Sequence, residues 1–255
     1  MSLLEIKGLN KSFGGLSALL EFDFRLAKNE LIGLIGPNGA GKTTVFNLIT
    51  GVYKPDKGKI IFAGEDITGL PAYKICRKGV ARTFQNIRLF NNLSVLDNVR
   101  IALHKAVSYG LLAAVFRMPS YFAGERLIEQ EALRYLEIFD LADKKNEIAS
   151  NLPYGEQRRL EVARALATRP TLLILDEPAA GMNPYETQEL MELIRWIRDD
   201  FNISILLIEH DMSLVMGVCE RIYVLDYGQV IAEGGPEEIR NNKRVIEAYL
   251  GEEVG

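Results

Sequence analysis

The chain is 255 residues long, 48% hydrophobic and 25% charged, which suits one large α/β domain, or one domain carrying a subdomain, with a substantial core. A formal net charge of −4 argues against a surface built to neutralise nucleic-acid phosphates, so no nucleic-acid partner is expected. Cys76 and Cys219 form no C-x-x-C pair, which disfavours a disulfide framework or a zinc site, and no apolar run reaches the roughly 18 residues of a membrane-spanning helix.

The first sixty or so residues read as β-rich. A strand around residues 3–9 alternates Leu4 and Ile6 with Glu5 and Lys7, unlike a signal peptide. It leads to Lys11-Ser12-Phe13-Gly14-Gly15, and an alternating segment follows at 18–26. Phe13 beside two glycines offers a flat aromatic face, which either stacks on a ring or plugs the sheet.

Residues 31–50, LIGLIGPNGAGKTTVFNLIT, pass from an apolar β-type run through Gly36-Pro37-Asn38-Gly39-Ala40-Gly41-Lys42-Thr43-Thr44 into a helical pattern. G-x-x-x-x-G-K-[ST] between strand and helix is a phosphate-binding loop. Its glycines let the backbone wrap closely around an anion. Successive N–H groups then point inward, and a helix starting near Gly41 adds the positive end of its dipole. Lys42 supplies a point charge for the β- and γ-phosphates, and the Thr43 hydroxyl is a candidate Mg²⁺ ligand. A nucleoside triphosphate is the expected ligand.

A turn at Lys54-Pro55-Asp56-Lys57-Gly58 precedes a strand at 59–62. A short apolar strand at 80–84 ends at Gln85. That amide gains interest because strands following a phosphate loop converge on the nucleotide. From 94 to about 169 the pattern turns helical and marks a candidate subdomain. Within it, residues 106–124 are aromatic and weakly polar and read as subdomain core in preference to a docking surface. Asn151-Leu152-Pro153-Tyr154-Gly155-Glu156-Gln157 then breaks the pattern ahead of a helix at 156–167. The first N–H groups of that helix are open to a phosphate or to water.

Residues 171–175 form an apolar strand ending in Asp176-Glu177-Pro178. Two carboxylates at the end of a buried strand suit Mg²⁺ binding and polarisation of a water. Asp176 is expected to be metal-associated through water, and Glu177 to be the general base. A helix at 185–198 and a strand at 203–208 follow, ending in Glu209-His210-Asp211. His210 is either structural or, at the tip of a strand in a predicted parallel sheet, part of the ligand site. A hairpin at 222–233 and a polar helical tail close the chain.

Taken together, and in this order over essentially the whole chain, these motifs resemble the nucleotide-binding subunit of an ATP-binding-cassette (ABC) transporter. The resemblance implies an α/β fold: a P-loop NTPase core with an N-terminal antiparallel β subdomain, formed by 1–87 and 169–255, and an inserted α-helical subdomain at about 88–168. It implies ATP and Mg²⁺, with hydrolysis of ATP. Phe13 then stacks on adenine, residues 36–44 cradle the phosphates, and Gln85 contacts Mg²⁺ and the membrane subunit. Glu177 is the base and His210 lies near the γ-phosphate. Tyr154, Gly155 and Glu156 belong to the signature motif shown to ATP on a second ABC ATPase subunit. The further partners implied are transmembrane permease subunits, met at the cytoplasmic face of the membrane, and indirectly a solute-binding protein.

Two departures stand out. The usual LSGGQ is Leu152-Pro153-Tyr154-Gly155-Glu156 here, without the serine hydroxyl, and Pro153 has no backbone donor. Asn183 replaces an expected aspartate, which should soften the electrostatics between subunits. The tyrosine-bearing signature, the PAAGMNP loop and the insert at 106–124 are similar to one branch, the LivG-type ATPases of branched-chain amino-acid importers. These work beside a different second ATPase. A lipid or glycan exporter ATPase and a non-transport ABC ATPase are the alternatives.

Overall fold

Alternation over most of their length half-buries the first strands. β1 (Ser2–Phe13) and β2 (Leu16–Ala27) pair antiparallel. Phe22, Phe24 and Leu26 enter the core while Asp23 and Arg25 stay exposed. β1 continues to Phe13, past the expected end at residue 9, because register shifts around Leu9 and Lys11 let pairing survive a break in the alternation. β3 (Leu31–Ile35) is different: all five positions are buried, as in a central strand covered on both faces. α1 (Lys42–Ile49), β4 (Lys57–Phe62), β5 (Glu65–Asp66), α2 (Ala72–Arg77) and β6 (Val80–Arg82) follow.

The computed structural model describes residues 2–104 and 110–250. The chain divides into two units, one of Met1–Arg82 with Thr171–Gly255 and one of Thr83–Pro170. The second unit holds α3 (Val95–Leu103), α4 (Leu111–Val115), α5 (Pro119–Ile138) and α6 (Tyr154–Ala167). Ser94 caps α3 by accepting the Asp97 N–H at 3.0 Å. Val95, Val99 and Leu103 of α3 are buried with Ile128, Ala132 and Leu136 of α5 and Leu160, Ala163 and Leu166 of α6. Each set recurs at helical spacing. The expectation that 106–124 forms core is not met where it can be followed. Residues 106–109 lie outside the described residues, and Val115, Phe116, Met118 and Phe122 are exposed. The buried positions of α5 begin only at Ile128.

The chain returns to the first unit with β7 (Leu172–Asp176), α7 (Pro184–Phe201), β8 (Ser204–Ile208), α8 (Met212–Val218), β9 (Arg221–Asp226), β10 (Gln229–Gly234), α9 (Pro236–Arg240) and α10 (Lys243–Leu250). Asn183 caps α7. Its Oδ1 accepts the Tyr185 and Glu186 N–H groups at 2.9 and 3.0 Å, and Glu186 Oε2 accepts the Asn183 N–H at 2.8 Å. This reciprocal box gives the residue at the departed aspartate position a local structural task. The first unit contains a sheet in the order β2-β1-β4-β5 and another in the order β10-β9-β3-β8-β7-β6. In the second, β9, β3, β8, β7 and β6 are parallel and β10 returns antiparallel. The carboxyl ends of β3, β8 and β7 therefore open on one edge.

Candidate active site

The loop after β3 is shaped by what only glycine tolerates. Gly36 has φ 150°, and a Cβ there would lie 2.0 Å from the Leu225 carbonyl oxygen. At Gly41, with φ 107°, a Cβ would lie 2.6 Å from the Ala18 carbonyl oxygen. The loop is thus pressed between β9 and β2, and a side chain at either point would push it out. The Ala40 carbonyl accepts the Gly228 N–H at 2.9 Å, fastening the loop to the β9–β10 turn. Gly41 is the N-cap of α1 and brings no side-chain acceptor, so first-turn N–H groups are not spent on a cap. Lys42 is buried, and its Nζ donates to the carbonyls of Gly36 and of Pro37, the latter at 2.8 Å. Thr43 is exposed and Thr44 half-buried.

Leu34 of β3 and Asp176 of β7 both lie opposite Ile208 of β8, forming one row across three adjacent parallel strands. At about 4.8 Å per strand, the phosphate loop, Glu209-His210 and Glu177 emerge side by side. Glu177 has φ 46° and donates its N–H to the Ile208 carbonyl at 2.9 Å. Its Oε2 lies 3.7 Å from His210 Nδ1.

Asp176 has a partner that sequence reading missed. Arg82, at the end of β6, donates from Nη2 to Asp176 Oδ2 at 2.7 Å, with both side chains only 9% exposed. Arg82 Nη1 also donates to Asn47 Oδ1 on α1 at 2.8 Å, and the guanidinium lies 5.2 Å from the Phe46 ring centroid. One arginine ties the helix of the phosphate loop to the acidic strand tip. An arginine at the carboxyl end of a short buried strand was the available signal. Arg82→Ala is expected to lower stability by about 3–5 kcal/mol, because it strands a buried carboxylate. Urea unfolding with an unchanged midpoint would refute that. Glu209, also missed, is fully buried. Its Oε1 accepts the Ala179 N–H at 2.7 Å and its Oε2 the His210 N–H at 3.1 Å. Burial pushes this carboxyl up, against the lowering effect of those N–H groups.

Phe13 is 43% exposed and meets Tyr53 edge-on, ring centroids 5.1 Å apart, so it does not plug the sheet. It ends the strand whose hairpin partner, β2, lines Gly41.

Gln85 is placed differently from expectation. β6 stops at Arg82, where its pairing with β7 ends, and Gln85 lies beyond it in the second unit. There the chain uses Arg158, another residue that sequence reading passed over. Arg158 is 2% exposed. It donates to the Phe84 carbonyl at 2.6 Å, to the Gln85 carbonyl at 2.8 Å and to the Tyr154 hydroxyl at 3.2 Å, and it pairs with Glu161 at 3.0 Å. Gln85 and Tyr154 are therefore brought together through one guanidinium. α6 begins at Tyr154, two residues before the expected start, with Pro153 as N-cap; the Glu156 N–H bonds the Pro153 carbonyl at 3.0 Å. Pro153 costs no donor here, because an N-cap N–H takes no part in the helix. The Glu156 carboxylate is held by Lys144 Nζ at 2.7 and 2.6 Å. Gly155 has open space around it.

An anion loop, a carboxylate and an imidazole at one sheet edge suit phosphoryl transfer to water. Residues 19–180 match the model of the family described as ABC transporter. The chain belongs to the ABC transporter family. It is an ATP-binding and ATP-hydrolysing member, with the P-loop NTPase core that the motifs implied. Within that family, residues 229–255 match a model described as branched-chain amino acid ATP-binding cassette transporter. The chain is 50% identical, over 98% of both sequences, to the high-affinity branched-chain amino acid transport ATP-binding protein LivG of Escherichia coli K12. It is 48% identical, again over 98% of both, to BraF of Pseudomonas aeruginosa, which bears the same description. Among solved structures, the ADP conformation of MJ1267, an ATP-binding cassette of an ABC transporter, aligns with a TM-score of 0.84 and 30% identity, covering 98% of this chain and 99% of that one.

Among the described residues, no three His, Cys, Asp or Glu side chains cluster as a metal cage. The oxygen donors that are present, the Thr43 hydroxyl and the Asp176 carboxylate, suit Mg²⁺, which keeps several waters and takes one or two protein oxygens beside substrate phosphates.

Proposed function

We propose that this ABC ATPase energises the import of branched-chain amino acids. The observation that carries this reading is the match at 229–255, which covers β10 through the C-terminal end and lies outside the span shared with ABC transporters at large. The ATPase would sit peripherally on the cytoplasmic face of the membrane, paired with a second ABC ATPase subunit. Permease subunits would contact it directly and a solute-binding protein indirectly. Among the described residues no helix is long and apolar enough to cross a membrane, so transport depends on those partners.

At the site, the main-chain amides of 36–44 and Lys42 hold the β- and γ-phosphates, and Phe13 stacks on adenine. Thr43 and Asp176 would hold Mg²⁺, directly or through water. When bound, that ion neutralises charge on the phosphate oxygens. Glu177 takes a proton from the attacking water and His210 holds the γ-phosphate. Tyr154, Gly155 and Glu156 face ATP bound to the paired subunit, so closure of the pair completes the site. In-line attack then relies on positioning, with no covalent enzyme intermediate.

The test is to purify the ATPase with its membrane partners, rebuild the complex in vesicles, and supply ATP and a binding protein loaded with labelled leucine. Leucine should accumulate only when ATP is on the side of this subunit. ATP hydrolysis without uptake of leucine, isoleucine or valine would overturn the substrate reading and leave the ATPase standing.

A further inference from the structure

The sheet edge carries one buried carboxylate that the proposed reaction does not use. Glu209 is 0% exposed and lies between the two functional side chains in the main-chain hydrogen bonding. Its Oε1 accepts the Ala179 N–H at 2.7 Å. The chain between Glu177 and Ala179 is a single proline, which has no donor. Glu177 N–H is bound to Ile208 and Ala179 N–H to Glu209, so the peptide carrying Glu177 is clamped on both sides. Glu177 needs that clamp. Its φ of 46° is a conformation that a β-carbon disfavours, and it persists only where the surroundings over-determine it.

The other oxygen, Oε2, accepts the N–H groups of His210 at 3.1 Å and Asp211 at 3.4 Å, and lies 3.7 Å from His210 Nδ1. Asp211 in turn accepts the Ser213 and Leu214 N–H groups at 2.8 and 3.3 Å, capping α8. One carboxylate thus joins the loop after β7 to the loop after β8, using both oxygens as acceptors. A glutamine cannot do this, because its NH₂ end would face either Ala179 N–H or the His210 and Asp211 N–H groups, donor against donor.

We propose that Glu209 is a positioning residue of this ATPase: through the main chain it sets Glu177 and His210 relative to each other without touching the nucleotide. The inference rests on Glu177 being the base. It predicts a split between catalysis and binding, since the phosphate loop takes no bond from Glu209.

Steady-state ATP hydrolysis by Glu209→Gln, Glu209→Asp and Glu177→Gln tests it. For Glu209→Gln, kcat should fall about tenfold to a hundredfold, the range that a misplacement on the order of 1 Å costs, with KM for ATP within about twofold of the parent. Glu209→Asp keeps two acceptors on a shorter stem and should recover part of the loss. A Glu209→Gln protein with parental kcat, or one whose KM rises as kcat falls, overturns the proposal. If Glu209→Gln does not fold, Glu209→Asp decides by the same criterion: lower kcat at unchanged KM supports the proposal, and either other result overturns it. Parental turnover by Glu177→Gln would instead remove the base assignment, so the two failures are told apart.

Discussion

Glu177→Gln is expected to slow ATP hydrolysis by about 10²- to 10⁴-fold, the contribution of a positioned general base, while ATP affinity stays within about twofold of the parent. The substitution is nearly isosteric, so the Glu177 N–H bond to Ile208 and the left-handed backbone at 177 remain. The phosphate loop keeps its own determinants: Gly36 and Gly41 lie close against β9 and β2, and Lys42 Nζ donates to two carbonyls of the loop. What is lost is a proton acceptor at the sheet edge, 3.7 Å from His210 Nδ1. Phosphate release under steady-state conditions, with nucleotide titration beside it, measures both quantities. Parental turnover, or a matching loss of affinity, would refute the assignment.

The second large effect lies in the other unit. Arg158→Ala is expected to destabilise the protein by about 3–5 kcal/mol, the cost of removing one partner from a buried ion pair. Glu161 is 1% exposed and its carboxyl is already pushed up by burial, so it cannot turn to water when its cation goes. The half-buried Phe84 and exposed Gln85 carbonyls each lose the Arg158 hydrogen bond in the same step, a smaller loss because water can reach them. Arg158→Met with Glu161→Leu should cost less than Arg158→Ala alone, because it removes both charges. It should not restore the parent, since the Arg88 N–H then loses Glu161 Oε1, 3.0 Å away. Urea unfolding compares the three proteins, and equal midpoints for the parent and Arg158→Ala would rule out the buried pair as a source of stability.

Much of the site was readable because its chemistry is local. The role proposed for Gly36 through Thr44 rests on main-chain amides and on the glycines that let those amides converge, a property of consecutive residues. Asp176, Glu177 and His210 could be singled out because each follows an apolar run, and such runs became strands buried at all five positions. The errors came where an element's end depends on its neighbour. The strand at 80–84 looked continuous as far as Gln85, yet β6 has a partner only through Arg82. The apolar insert read as core by composition alone, while the second unit's buried stripe on α5 begins at Ile128.

The sequence by itself determined that a polyphosphate loop, an acidic strand tip and a histidine strand tip exist in one α/β chain, and that their order is that of an ABC ATPase. Tertiary structure alone decided that β8 runs between β3 and β7, so that His210 leaves the sheet from the strand flanked by those of the phosphate loop and Glu177. It also decided that Arg82 neutralises Asp176 and that Glu209 is buried where it takes N–H groups from two loops. The reason is physical. A glycine turn is selected by local sterics, but a buried charge is tolerated only where partners distant in sequence meet it, and strand order sets which ones do.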